Sequence, residues 1–158
     1  MKNFLIGNDT SLESVYRTHS VVFMEAEMEG YVDRETNLPV VKLNINQREI
    51  PCLVDTGFNG FLWTGIDVAQ RVFGMRVNRV DGESELADGS GADYQLEPVE
   101  VLWFGRPLHL RMHVAFSLRA GKFPILLGTR LLVGHVLIAD FNHGIVQIRD
   151  PSVSRVSP

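Results

Sequence analysis

One short stretch of the sequence contains residue types that could do chemistry. Residues 50–54 are uncharged and mostly apolar, and Asp55, Thr56 and Gly57 follow them at once. Glycine allows backbone angles that other residues resist, and a threonine hydroxyl can donate a hydrogen bond to a neighbouring chain. Asp55 is therefore either a catalytic acid or the first residue of an Asx-type turn that closes the strand. Because Asp-Thr-Gly is common by chance, the choice depends on the rest of the chain.

If Asp55 is catalytic, the reaction that fits is peptide hydrolysis by a pair of carboxylates. The ionised carboxylate takes a proton from water, while the protonated one donates a hydrogen bond to the scissile carbonyl. The chain has one good copy of the loop, so the second aspartate must come from a second chain. The hypothesis therefore requires a two-fold symmetric homodimer with Asp55 beside its own mate.

Two other acids are weaker candidates for an intramolecular partner of Asp55. Asp9, in Asp9-Thr10-Ser11, resembles the triad but lacks a preceding apolar strand. Asp140 ends the apolar run of residues 137–139, and it is interpreted as a structural acid of a turn.

The histidines do not predict a metal site. His109 and His113 are four residues apart, but apolar residues at 108, 110, 112 and 114 alternate with them, which indicates a strand. Residues four apart in a strand lie about 13 Å from each other, too far to share one metal. We therefore expect both histidines on a solvated face. The others, at positions 19, 135 and 143, have no companion ligands nearby.

The loop Gly57-Phe58-Asn59-Gly60 could also be a phosphate-binding loop or a nucleic-acid clamp. It lacks the Lys-Ser/Thr pair that follows a P-loop, no helix is expected at its last glycine, and basic residues are absent around it. Neither alternative is favoured.

The segments around Asp55 are predicted to be strands. Met24, Ala26 and Met28 alternate with glutamates, and apolar residues at 41, 43 and 45 alternate with polar ones, as in half-buried strands. Residues 33–39 and 46–48 are the expected turns. Residues 50–54 form a buried strand, and alternation places Asp55 on the face of Leu53.

Helices are predicted to be few and short. Thr64 is expected to cap a helix that has Asp67 in its first turn and ends at Gly74, and a second short helix is expected at residues 129–134. Hairpins are expected at residues 85–95 and 136–149. The sequence thus predicts a mostly β protein with one or two short helices.

One pattern occurs twice. Residues 51–56 and 124–129 both consist of proline, three apolar residues, a loop residue and threonine. The repetition suggests two related half-units, although six weakly similar positions could also arise by chance.

Together these features resemble the retropepsin-like aspartic proteases, the single-lobe, retroviral-type enzymes that also occur in prokaryotes. The resemblance covers residues 28–149 and depends on residues 53–57, on the later apolar-apolar-glycine segment, and on a glycine-containing hairpin at residues 84–95. It implies a closed retropepsin-like acid-protease barrel with a flap hairpin. It also implies a homodimeric aspartic endopeptidase that hydrolyses peptides or proteins without a cofactor. The residues after the triad resemble the prokaryotic cellular branch.

The resemblance also implies roles for individual residues. The catalytic loop is Asp55, Thr56 and Gly57; residues that contact substrate are Phe58, Asn59, Gly60, Ala87, Asp88, Gly89 and Ser90; and residues that support the loop are Leu126, Leu127 and Gly128. The nearby Phe58, Phe61 and Trp63 either belong to the core or form an apolar rim of the cleft.

Three positions depart from the viral pattern. Phe58, Asn59 and Thr129 stand where viral members carry a small residue, an acid and an arginine, so the Asp–Arg pair of the viral dimer cannot form in the same way. The alternative function is a catalytically inactive module of the same fold that binds peptides or a partner protein.

Length and composition fit a single globular domain. The chain has 158 residues, 45% of them hydrophobic, and a formal net charge of -4, which gives no reason to expect nucleic acid or an anionic membrane as partner. No signal peptide or membrane span is recognisable. The single Cys52 fits a reducing compartment, so a cytoplasmic location is expected. The expected organisation is a leader at 1–20, which is a dimer arm, a pro-segment or a tail, the retropepsin-like domain at 21–150 and a C-terminal tail at 151–158.

Overall fold

The computed structural model describes residues 27–86, 89–117 and 121–153. These ranges contain ten strands and two short helices, as the sequence predicted. Their bounds are β1 Glu27–Asp33, β2 Leu38–Ile45, β3 Arg48–Asp55, β4 Leu62–Gly65, α1 Ile66–Phe73, β5 Gly82–Glu85, β6 Gly91–Trp103, β7 Arg106–Ala115, β8 Ile125–Gly128, α2 Thr129–Leu132, β9 Val136–Asp140 and β10 Ile145–Arg149. The leader at 1–20, with Asp9, and residues 24–26 of the expected first strand lie outside these ranges.

Six of the strands close into a barrel, which confirms the predicted architecture. The order in the sheet is β5-β6-β7-β4-β8-β3-β2-β1-β10-β9, and an additional pairing joins β6 to β2. Strands β2, β3, β8, β4, β7 and β6 thereby form a closed ring, which leaves no open edge between them. β1, β10 and β9 extend the sheet from β2.

The period of two in β2 and β3 predicts the barrel core correctly. Val41, Leu43 and Ile45 of β2 have no exposed surface, and neither has Cys52 of β3. Burial raises the pKa of Cys52 to about 12, so the thiol stays protonated at neutral pH. Asp55 lies on the opposite face of β3, as alternation predicted.

The two repeated segments lie side by side. β3 and β8 pair in parallel, with Cys52 opposite Ile125 and Asp55 opposite Gly128, so equivalent positions of the two copies are neighbours. β4 pairs with the other edge of β8, antiparallel, and with β7 in parallel. β3, the strand that carries Asp55, lies between β8 and β2 in the barrel wall.

The predicted start of the first helix is wrong. Thr64 lies in β4, only 2% exposed, and its hydroxyl donates a hydrogen bond of 2.8 Å to the carbonyl oxygen of Pro124. Helix α1 begins at Ile66 and has no side-chain cap. Because β4 pairs on both sides, the backbone remains extended as far as Gly65. The predicted end is confirmed, since Gly74 adopts the left-handed conformation with φ 67°.

The hairpin at residues 136–149 forms as predicted from β9 and β10. Asp140 accepts backbone hydrogen bonds of 3.0 Å from Asn142 and His143, and its other oxygen lies 2.7 Å from Nδ1 of His143. The bond to the His143 side chain lowers the pKa of Asp140. Asp140 therefore acts within its own turn.

Neither helix of the described ranges has the length and apolar character needed to cross a membrane.

Candidate active site

Asp55 is the last residue of β3 and is half-buried. Its Oδ1 accepts a hydrogen bond of 2.9 Å from the backbone N–H of Gly57, so the carboxylate is oriented by its own turn. Its Oδ2 accepts no hydrogen bond from any residue in the described ranges. Thr56 and Gly57 are exposed. The turn thus fixes the carboxylate by one oxygen and leaves the other free.

The loop after Asp55 is braced by the start of α2. The backbone N–H groups of Thr129 and Arg130 donate to the carbonyl oxygens of Phe58 and Gly60, at 2.8 and 3.1 Å, and Gly128 donates to Phe61 at 2.9 Å. A Cβ atom at Gly128 would lie 2.3 Å from the Gly60 carbonyl oxygen. Only glycine allows this approach.

The free side of Asp55 opens into a cleft of about 580 Å³. Three parts of the chain line this cleft: the loop after β3, the hairpin of β5 and β6, and the barrel wall. The lining residues are Asp55, Gly57, Phe58, Asn59, Trp63, Ser84, Glu85, Leu86 and Leu126. The cavity thus has the acid at one side and an apolar wall beside it.

The predicted site residues divide into three groups. The first group lines the cleft: Asp55, Gly57, Phe58, Asn59 and Leu126. The second group is buried and does not line the cleft: Gly60, Leu127 and Gly128. Gly89 and Ser90 lie at the hairpin tip and are exposed. Ala87 and Asp88 lie outside the described residues. Sequence reasoning assigned no site role to Ser84, Glu85 and Leu86, although all three lay within the expected hairpin at residues 84–95.

The hairpin of β5 and β6 has a firmly held base. The side chain of Gln95, fully buried, accepts hydrogen bonds from the backbone N–H groups of Asn78 and Arg79, at 2.8 and 2.9 Å. It also donates to the Arg76 carbonyl oxygen at 2.9 Å, and to the side chain of Glu97. The segment between α1 and β5 is thereby attached to β6.

Beyond this base the hairpin narrows to a tight tip. Glu85 pairs with Gly91, Leu86 donates to the Ser90 carbonyl oxygen at 2.7 Å, and Gly89 has φ 81°. A positive φ at a turn is the conformation that glycine adopts most readily. Ser84 and Glu85, at the end of β5, and Leu86 after them line the same cleft as Asp55.

An aromatic cluster of Phe58, Trp63, Tyr94 and His113 supports the apolar wall of the cleft. The His113 ring lies 5.6 Å from the Trp63 ring and nearly parallel to it, and 4.4 Å from Tyr94. Phe58 packs edge-on against Trp63 at 5.3 Å. The expectation that His113 lies on a solvated face is therefore wrong, whereas His109 is exposed.

The position of His113 follows from a long-range pairing. β4 and β7 pair in parallel with Trp63 opposite His113, so the aromatic residues cover the second face of β7. Burial lowers the pKa of His113, and neither its Nδ1 nor Nε1 of Trp63 has a partner in the described part of the chain. No signal within residues 108–114 indicates what covers that face.

The ranges that the structure describes contain no group of three histidine, cysteine or acidic side chains that could hold a metal ion. The expectation of a cofactor-free reaction stays a prediction.

The architecture is similar to two solved proteases. For a retropepsin-like aspartic protease from Rickettsia conorii, the TM-score is 0.56 at 18% sequence identity, and the alignment covers 77% of this chain and 89% of that chain. For the EIAV protease in complex with an inhibitor, the TM-score is 0.51 at 20% identity, with 64% of this chain and 90% of that chain covered. No family model and no curated protein sequence matches the chain. The chain thus has a retropepsin-like fold, and the first similarity is compatible with the prokaryotic branch.

Proposed function

From this fold we propose that the protein is an aspartic endopeptidase that acts as a homodimer, with Asp55 of each chain forming the catalytic pair. The main support is the geometry of Asp55. Its carboxylate lies at the end of a barrel strand, one oxygen is held by Gly57, and the other is free beside a cleft covered by a hairpin. The two similar structures are those of proteases, and the one from Rickettsia conorii is an aspartic protease, which supports the reaction class.

The reaction follows from two carboxylates that share one proton. Like charges a few ångströms apart cannot both ionise easily, so the pair loses its protons in two separate steps. The ionised carboxylate removes a proton from water, whose oxygen attacks the scissile carbonyl carbon, while the protonated one donates its proton to the carbonyl oxygen. The C–N bond of the tetrahedral intermediate then breaks: the protonated carboxylate gives its proton to the leaving amine nitrogen, and the ionised one takes a proton from a hydroxyl of the intermediate, so the pair again holds one proton.

A second chain is needed to supply the second aspartate of the pair. Within the described residues, Asp55 is the only aspartate that lines the cleft, and Asp140 is engaged in its own turn. Thr56 is exposed, and its hydroxyl makes no hydrogen bond with another described residue. It is therefore free to bond to the partner's loop and lock the two loops together.

In the proposed complex the substrate lies in the cleft as an added strand. Phe58 and Asn59 line one side of it, and the tip residues of the hairpin close over the other. We propose that the tip, with Ala87, Asp88, Gly89 and Ser90, contacts the peptide backbone and excludes bulk water.

Substitution of Asp55 tests the proposal directly. In the variant Asp55→Asn the amide oxygen can still accept the hydrogen bond from Gly57, so we expect the turn to be kept and cleavage to be lost. The assay is incubation of both proteins with a diverse peptide library between pH 4 and 7, with Asp140→Asn as the matched control. Cleavage that survives in Asp55→Asn would overturn the assignment.

The second candidate is a noncatalytic module that binds peptides or a partner protein in the same cleft. Phe58, Asn59 and Thr129 favour it, because they replace residues of the viral pattern. A statine-type transition-state analogue distinguishes the two functions. We expect it to protect the enzyme from thermal unfolding, and a strict monomer without such protection would exclude the protease. A cytoplasmic location stays a prediction from the sequence.

A further inference from the structure

The charged residues that line the cleft are all acidic. Asp55 and Glu85 supply two carboxylates per chain, and no lysine, arginine or histidine is among the lining residues. We propose that Glu85 makes the site selective for peptides that carry lysine or arginine beside the scissile bond. This inference rests on the proposed function, because it names the substrate class of the same cleft.

Glu85 differs from most other acids of the described ranges in having no basic partner. Nine of the other acids in the described ranges have a basic partner: Asp33 and Glu35 with Lys122, Glu49 with Lys42, Asp67 with Arg71, Asp81 and Glu97 with Arg79, Glu27 with Arg149, Glu100 with His109 and Asp140 with His143. Glu85 is exposed, and no hydrogen bond or ion pair joins its side chain to another described residue. Its carboxylate is therefore free for a charged group of the substrate.

The position of Glu85 in the hairpin directs this charge to the cleft. It is the last residue of β5, and its cross-strand partner is Gly91, which has no side chain to neutralise or cover it. Glu83, two residues earlier in the same strand, does not line the cleft. Glu85 thus adds negative charge next to the reacting bond rather than to the surface in general.

The apolar wall next to Glu85 suits the stem of a long basic side chain. Phe58, Trp63, Leu86 and Leu126 line the cleft together with the two acids. Lysine and arginine bury their methylene groups along apolar surface while the charged head remains at a polar site. A basic side chain can therefore pack on this wall and place its cation at Glu85.

Two-fold symmetry doubles the effect in the proposed dimer. Each chain contributes one Glu85 to the shared cleft, so basic peptides are attracted from both sides of the scissile bond. Charges of one sign in a cleft raise the local concentration of oppositely charged substrate.

The test compares matched peptides that differ only by lysine, glutamine or glutamate at each position beside the scissile bond. We expect wild type at low salt to show a kcat/KM for the lysine peptide about two- to fivefold above that for glutamine, the range of exposed ion pairs. The ratio should fall towards one in Glu85→Gln and reverse in favour of glutamate in Glu85→Lys. Added salt should weaken the preference of wild type for the lysine peptide, because salt screens the charge of Glu85.

Glu83→Gln is the control, because it removes the same charge from the same strand without altering the cleft lining. We expect it to keep most of the lysine preference. Equal ratios in wild type and Glu85→Gln, or equal losses in both glutamine variants, would overturn the role of Glu85.

Binding separates this inference from the proposed function. Peptides with a reduced, noncleavable bond are titrated against Asp55→Asn with and without Glu85→Gln. If wild type cleaves nothing, yet lysine peptides bind more tightly only when Glu85 is present, the endopeptidase fails and the basic-peptide site stands. Cleavage without lysine preference contradicts Glu85 alone.

Discussion

At the scale of single residues, His113 shows how burial next to the cleft creates a pH dependence. Its ring is stacked on Trp63 and packed against Tyr94, and burial lowers its pKa below the ordinary value of 6.5. The charge on Arg130 lowers this pKa further, whereas the Leu62 carbonyl opposes the shift. Neutral imidazole is therefore the form that the folded protein prefers.

This preference predicts a loss of stability in acid. Below about pH 6.5 the histidine of the unfolded chain binds a proton, whereas His113 of the folded protein stays neutral. The free energy of unfolding therefore decreases as the pH is lowered, until the pH falls below the lowered pKa of His113. We expect His113→Leu to show a smaller decrease between pH 7.5 and 5 than wild type, measured by urea unfolding. His109→Leu is the control at an exposed site, and an unchanged decrease in His113→Leu would contradict the explanation.

At the scale of elements, Gln95 links the hairpin over the cleft to the segment that precedes it. Its side chain bonds to three backbone groups of residues 76–79, and all of these partners lie more than fifteen residues away in the sequence. Asp81 adds two further bonds, from its N–H to the Tyr94 carbonyl oxygen and from the Leu96 N–H to its carboxylate, both at 2.8 Å, but the Gln95 amide is the buried part of this attachment.

Replacement of this amide should loosen the hairpin without unfolding the barrel. In Gln95→Leu the N–H groups of Asn78 and Arg79 and the carbonyl of Arg76 lose their partner, which should cost about 1–3 kcal/mol. We expect faster hydrogen exchange in residues 76–85 and weaker substrate binding. The β9–β10 hairpin is the internal control, and uniform acceleration there would indicate general destabilisation instead.

At the scale of the whole molecule, the proposed activity depends on assembly. One chain brings one Asp55 to the cleft, and the exposed Thr56 has no bonded partner in the described ranges. The viral Asp–Arg pair is replaced by Asn59 and Thr129, so we expect a larger share of the dimer stability to depend on Thr56.

Removal of the Thr56 hydroxyl should therefore weaken the dimer. We expect Thr56→Ala to raise the dissociation constant by about five- to tenfold, which corresponds to about 1–1.4 kcal/mol and lies within the range of a single hydrogen bond. Thr56→Ser retains the hydroxyl and should remain close to wild type. Sedimentation at micromolar concentration measures both, and a wild type that stays monomeric would contradict dimerisation itself.

The sequence by itself determined the features that depend on neighbours along the chain. Alternation in β2 and β3, the glycine end of α1 and the hairpin turns were predicted because a strand or turn constrains residues two to four positions apart. For the same reason Asp55 could be placed at the end of a buried strand. The retropepsin-like barrel followed from a resemblance rather than from these local patterns.

Only the tertiary structure decided which surfaces meet. Thr64 bonds to Pro124, sixty residues away, instead of capping a helix, and His113 is covered by Trp63 through the pairing of β4 with β7. Glu85 lines the same cleft as Asp55 because the hairpin that begins with β5 borders that cleft. Alternation indicates which side chains share a face, but it carries no information on what packs against that face, because such contacts join residues far apart in the chain.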